Sequence, residues 1–152
     1  MGGDLLTTAI GTSVSIVPPD GWETAEGLVG TLVAFVAPDE DPGFFRPNFN
    51  VLVETESEVV APGDLVERHA AGAIERLEFA RLIDAGACEV GERPASRVLL
   101  TYSSDGDDLT LEQWIVPFGR KTLVLSATSA TLDYASTFEV FQDIIGSVDF
   151  DA

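Results

Sequence analysis

The chain predicts an α+β fold, a central antiparallel sheet with helices on both faces in an α/β/α sandwich. Three features carry that expectation. Residues 97–103, 109–118 and 121–130 are strand-like runs separated only by short turns, as antiparallel neighbours are. Two other segments, one opening at Asp64 and one over 133–145, repeat apolar residues at helical spacing. Finally, Val98-Leu99-Leu100, Ile115-Val116 and Leu123-Val124-Leu125 are apolar on both faces, whereas a sheet with one wet side alternates.

Taken in order, residues 13–17 alternate polar and apolar and stop at the turn cluster Pro18-Pro19-Asp20-Gly21. Residues 31–36 are apolar on both faces, and 48–54 place Phe49, Val51 and Val53 on one side. Between them, 38–47 mixes prolines, charges and aromatics and reads as a loop. Pro62-Gly63 breaks the chain, and Asp64 with Glu67 forms an acidic capping box for the first helix. Val66, Ala70, Ala73 and Leu77 form its inner face, with small residues that imply close packing on a sheet. Residues 81–90 read as a fourth strand ahead of the meander and a candidate edge strand, able to pair across a two-fold. Asp105-Gly106 is a hairpin signal, and Gly119-Arg120 turns the chain into 121–130. The last helix sets Tyr134, Phe138, Phe141 and Ile145 on one face, with Gly146 at the C-terminal cap.

A length of 152 residues predicts one domain over 1–152, with 1–10 as a flexible N-terminal segment. The hydrophobic fraction of 45% is ordinary, so neither disulfide nor metal is needed for stability, and no cofactor is implied. The single cysteine, Cys88, sits in Ala85-Gly86-Ala87-Cys88 and reads as a small buried thiol rather than a nucleophile. The net charge is -18, and no Lys or Arg precedes Arg46 or follows Lys121. Such a field repels phosphate backbones and anionic membrane surfaces, and it favours a basic partner. No stretch approaches the ~20 apolar residues of a membrane span. The first residues lack a basic-apolar leader. The expected location is cytoplasmic as written, and extracytoplasmic if a leader has been removed.

The ordered set of motifs resembles the PsbP-like fold. Its carriers are Val14-Ser15-Ile16-Val17-Pro18-Pro19-Asp20-Gly21-Trp22, Arg46-Pro47-Asn48-Phe49-Asn50-Val51, residues 123–128, and Ile144-Ile145-Gly146-Ser147-Val148-Asp149-Phe150. The nearest branch is that of the actinobacterial LpqN-like proteins, with DcrB-like proteins and Eag chaperones further off. The resemblance spans roughly residues 11–150. It implies the sandwich and no enzyme, since members serve as photosystem subunits, Ran-binding regulators, envelope lipoproteins or secretion-effector chaperones. It transfers no site residue, because this fold carries many functions.

The chemistry-bearing residues point the same way. His69, the one histidine, lies on the first helix beside Glu67 and Arg68 and reads as a solvent-edge residue; no G-x-S-x-G elbow accompanies it. Asp105, Asp107, Asp108 and Glu112 cluster, but Gly106 follows the first acid directly, which breaks the calcium-loop pattern and leaves a solvated hairpin tip. P-loop, G-x-G-x-x-G and Cys/His signatures are missing as well. The aromatic pair Phe44 and Phe45, beside Arg46, has two readings: anchors of a binding surface, or a cap folded onto the sheet. Trp114 alternates with Ile115 and is expected opposite the buried row, beside Glu112 and Val116, as a further binding candidate; Trp22 reads as a structural plug. The expectation is a non-enzymatic protein-binding module, monomeric or homodimeric, acting as a cytosolic secretion chaperone or adaptor. The alternatives are a cell-envelope, lipoprotein-type domain for a small ligand or lipid, and a hydrolase using scattered carboxylates.

Overall fold

A computed structural model describes residues 4–6, 14–25, 33–38, 45–55 and 62–150. The elements run β1 (Asp4–Leu6), β2 (Val14–Ile16), β3 (Glu23–Ala25), β4 (Val33–Val36), β5 (Asn48–Thr55), α1 (Pro62–Arg76), β6 (Glu78–Val90), β7 (Arg93–Ser104), β8 (Asp107–Phe118) and β9 (Lys121–Ala130). A 3₁₀ turn (Thr131–Asp133), α2 (Tyr134–Gly146) and β10 (Asp149–Phe150) follow. The main sheet has the order β3-β4-β5-β9-β8-β7-β6, and β1-β2-β10 form a small second sheet. Every pairing is antiparallel. The logic of the path is simple. Helix α1 carries the chain from the middle of the sheet to its far edge, and the meander β6 to β9 returns to close against β5, from Asn48↔Thr128 to Thr55↔Lys121.

One tight turn is the one the sequence announces, at Asp105-Gly106, and a second of the same kind falls at Gly91-Glu92. Asp105 and Gly106, at φ 51° and 86°, make the two-residue link from β7 to β8, the left-handed pair that matches strand twist. Gly91 and Glu92, at φ 55° and 69°, do the same between β6 and β7. Gly91 is required for a second reason: a Cβ there would stand 2.7 Å from the Phe150 ring.

Among the described residues, two clusters make up the core. In the first, Val14, Ile16, Phe35, Phe49, Trp114, Leu125, Phe141 and Ile144 pack together. In the second, Leu65, Ala70 and Ala73 of α1 meet Val98, Leu100 and Ile115. Consecutive strand residues point to opposite sides of a sheet, so β8 sends Trp114 into one cluster and Ile115 into the other. That is why the central strands are apolar on both faces. Each fully buried Leu, Ile or Phe contributes roughly 1.5–3 kcal/mol.

The helices differ in detail from expectation. On α1 the buried stripe includes Leu65, while Val66 and Leu77 pack at its margin. On α2, Phe141, Ile144 and Ile145 are buried and Phe138 is partly exposed. Gly146 stays helical. Ser147 caps instead, its hydroxyl donating to the Ile144 carbonyl at 2.6 Å while accepting the Val17 N–H at 2.9 Å, so no left-handed glycine is needed. Among the described residues, no helix is long and apolar enough to cross a membrane.

Candidate functional site

Strand β6 lies at the end of the main sheet and pairs only with β7 among the described residues. It is thirteen residues long, and only Val90 is buried, with Ala80 and Cys88 half-buried. Phe79, Leu82 and Ile83 are all exposed. A strand edge presents unpaired N–H and C=O groups, and proteins blunt such edges with bulges and charges. Here both devices occupy the first half. Register shifts interrupt β6 between Glu78 and Arg81 and between Leu82 and Asp84, and Arg81 and Asp84 flank the second. From Asp84 to Val90 the ladder runs uninterrupted, Asp84↔Leu99 to Val90↔Arg93. That half of the edge is regular.

Phe79 marks the other half. Only Leu77 separates the end of α1 from β6, and Phe79 sits in the first bulge at φ 54°. A left-handed backbone is costly for a bulky residue and usually belongs to glycine. The ring is nevertheless 76% exposed. It borders a depression of about 260 Å³ together with Arg81, Tyr102 and Thr131. Thr131 is tied to β8 by a 3.1 Å hydroxyl contact with Thr110, and its neighbour Leu132 is 97% exposed. A strained, exposed aromatic at the rim of a depression is the kind of outlier that points to function.

A buried polar network stands behind the edge. Glu112, with 0% exposure, accepts hydrogen bonds from Arg97 Nε and from the Tyr134 hydroxyl at 2.9 Å, and Arg97 also reaches Asp84 Oδ2 at 3.3 Å. The chain of contacts thus joins α2, β8, β7 and β6. A buried carboxylate without partners is expensive, so these donors are what allow Glu112 to be there. Burial works against the Arg97 charge, but the Glu112 carboxylate more than offsets it and holds the guanidinium above its usual range. Burial, then Glu112, pushes the Tyr134 phenol up to about 12. Burial likewise raises the Cys88 thiol against the pull of Arg97, which makes it a poor nucleophile. Glu112 is enclosed and accepts from two donors. The geometry of the network holds elements together.

The residues singled out from the sequence are dispersed. Phe44 lies outside the described residues. Phe45 is half-buried. The Arg46 guanidinium donates to the Ala37 carbonyl at 2.9 Å and to Glu23 at 3.3 Å, tying β3 to the start of β5. Trp114, expected opposite the buried row, is 3% exposed and packs 6.3 Å from Phe49; both faces of β8 are covered, so there is no dry-and-wet alternation to place it outside. Trp22 does act as a plug, edge-on to Phe141 at 6.4 Å. His69 is more covered than a solvent-edge residue and stands 3.0 Å from Glu54. Asp105, Asp107 and Asp108 are exposed at the hairpin tip, far in role from Glu112. Phe79 and Leu132 were not legible as a site. The available signal was an aromatic three positions after the helix ends at Arg76, with no glycine in between.

No protein-family model matches the chain. Over 67 residues, 44% of the chain, it is 34% identical to argininosuccinate synthase of Leuconostoc mesenteroides, and it spans 16% of that protein's length. Solved structures are similar over nearly the whole chain. LpqN of Mycobacterium tuberculosis, involved in cell envelope biogenesis, superposes with a TM-score of 0.75 at 16% identity, covering 97% of this chain and 89% of LpqN. The cyanobacterial PsbP of Synechocystis gives 0.63 at 15% identity, covering 97% and 91%. The Ran-binding protein Mog1p of Saccharomyces cerevisiae gives 0.66 at 10% identity, covering 99% and 96%. The chain has the PsbP-like fold, related to that of LpqN: a mostly antiparallel sheet with two helices.

Proposed function

We propose that this protein is a non-enzymatic protein-binding module, holding a segment of another protein as an added strand along β6. The observation that carries the reading is the thirteen-residue edge strand with one sheet neighbour among the described residues and Phe79, Leu82 and Ile83 exposed. Strand addition draws affinity from main-chain hydrogen bonds and specificity from alternate side chains. The regular stretch from Asp84 to Val90 supplies the former, and the depression beside Phe79 the latter. The net charge of -18 favours a basic segment. Mog1p, a Ran-binding protein, is a precedent for protein binding on this fold. The reading takes α1 and α2 to lie on opposite faces, as their separate clusters suggest, which leaves the β6 edge as the approach. Chaperone or adaptor work is the form it takes.

The test pairs capture with hydrogen exchange. Wild-type protein and Phe79→Asp are used to recover partners from source lysate, and the complex is then followed by amide exchange. The expected result is a stoichiometric partner lost from Phe79→Asp, with slowed exchange over 84–90 in the complex. A partner that Phe79→Asp retains, and that leaves β6 exchange unchanged, overturns the reading. A second reading, a cell-envelope ligand-binding domain, is favoured by the likeness to LpqN.

A further inference from the structure

A groove of about 480 Å³ runs between α1 and the sheet, within the ~300–1,000 Å³ typical of small-molecule sites. Its wall on α1 carries Arg68, Gly72 and Arg76, spaced four apart and therefore on one helix face. Half-buried Leu52 of β5 supplies apolar surface, with Val124 of β9 buried beneath it. Glu54 also lines the groove, but its carboxylate is 3.0 Å from His69 Nε2. Lys121 adds a cation nearby, donating to Thr55 Oγ1 at 2.9 Å. The chain has 8 Lys and Arg against 26 Asp and Glu; two arginines in one lining, against a single carboxylate held by His69, make the groove a place where an anion meets attraction.

Gly72 sharpens the point. Glycine is a poor residue for a helix interior, and neither packing nor backbone requires it here. A Cβ at position 72 would meet nothing within 4 Å, and its φ is not left-handed. What the missing side chain does is leave the groove open midway between the two arginines.

From this juxtaposition we infer that the groove between α1 and β5/β9 is a binding site for a small amphiphilic anion, an organic carboxylate or sulfonate. Its head group lies by Arg68 and Arg76, and its apolar part rests on Leu52. Arginine suits such oxyanions because its planar fork can donate two parallel hydrogen bonds. The inference is independent of strand addition at β6.

The probe is 8-anilinonaphthalene-1-sulfonate, titrated by fluorescence and then displaced with octanoate, with inorganic phosphate as the purely polar competitor. Gly72→Glu is the decisive variant. Its carboxylate sits four residues from each arginine, the spacing of stabilising helix ion pairs, so it folds while occupying the groove from within. Circular dichroism verifies that. The expected result is saturable 1:1 binding displaced by octanoate, weakened by about tenfold or more in Gly72→Glu and in Arg76→Gln, and unchanged in Phe79→Asp. Unaltered binding in Gly72→Glu overturns the site. Loss in Phe79→Asp alone moves the probe to the β6 edge and overturns it equally. Displacement by phosphate as effective as by octanoate overturns the amphiphile.

Discussion

Strands β9 and β6 belong to one sheet and fare oppositely. In β9 the eight residues from Thr122 to Ser129 are all buried, between β5 and β8. In β6, thirteen residues long, one is buried. Composition does not explain the contrast, since β6 carries Phe79, Leu82, Ile83 and Val90. Position does. A central strand is paired on both sides and covered above and below, whereas β6, the first strand of the meander and the outermost of the sheet, has one neighbour among the described residues. Apolar residues on such a strand are either a liability or a surface for something else. The interior even accommodates polar side chains by pairing them, as Gln113 Nε2 donates to Ser126 Oγ at 3.1 Å.

The contrast breaks most sharply where the interior holds a charge. Glu112→Ala removes the buried acceptor and strands Arg97 and Tyr134, with an expected loss of about 3–5 kcal/mol in urea unfolding. Leu125→Ala in β9 opens a cavity in the first cluster and is expected to cost about 2–5 kcal/mol. Leu82→Ala in β6, the same chemical change on a partly exposed residue, is expected to cost less than about 1 kcal/mol. Equal costs at the two leucines, measured by the same unfolding curves, would mean that β6 is covered in solution by a second copy.

Much of this contrast was readable and part of it was not. The meander, its Asp105-Gly106 turn, both helices and the edge position of residues 81–90 follow from periodicity and turn chemistry, which are local. The short strands β1, β3 and β10 escaped because two or three residues hold no period; their pairing partners define them. Trp114 was misplaced because alternation says which residues share a side, not whether that side is wet. The Glu112, Arg97 and Tyr134 network joins residues 15 and 22 positions apart, and only the folded register brings them together. Phe79 is the hardest case, since a left-handed phenylalanine contradicts its own local preference.

Smaller than the packing effects is a pH effect in the network. Tyr134 has its phenol raised to about 12 from 10, by burial first and by Glu112 next. The protonated form is therefore favoured in the folded state. Between pH 10 and 12 the folded protein holds a proton that the unfolded chain has released, so stability is full below pH 10 and declines as pH rises toward 12. Burial also raises the Tyr102 phenol, so the phenolate absorbance of the wild type should develop late for both tyrosines. Tyr134→Phe should remove the Tyr134 component and flatten the alkaline loss of stability. An unchanged alkaline loss in that variant would mean that the network does not couple to folding.

The smallest effect is the most discriminating, because its sign differs between the two strands. In an ordinary strand position glycine is worse than alanine by roughly 0.5–1 kcal/mol, through the entropy it loses on folding, so Leu125→Gly should be less stable than Leu125→Ala. At position 79 the left-handed backbone penalises any residue with a Cβ by roughly 1–2 kcal/mol, and the phenylalanine ring returns little because it is mostly in solvent. Phe79→Gly should therefore be more stable than Phe79→Ala, and at least as stable as the wild type, by thermal or urea unfolding. Both variants should lose the captured partner if Phe79 is an anchor. If glycine is worse than alanine at both positions, Phe79 does not sit in a left-handed bulge in solution. The strain argument that singles it out then fails, while the exposed edge of β6 stands on its own pairing.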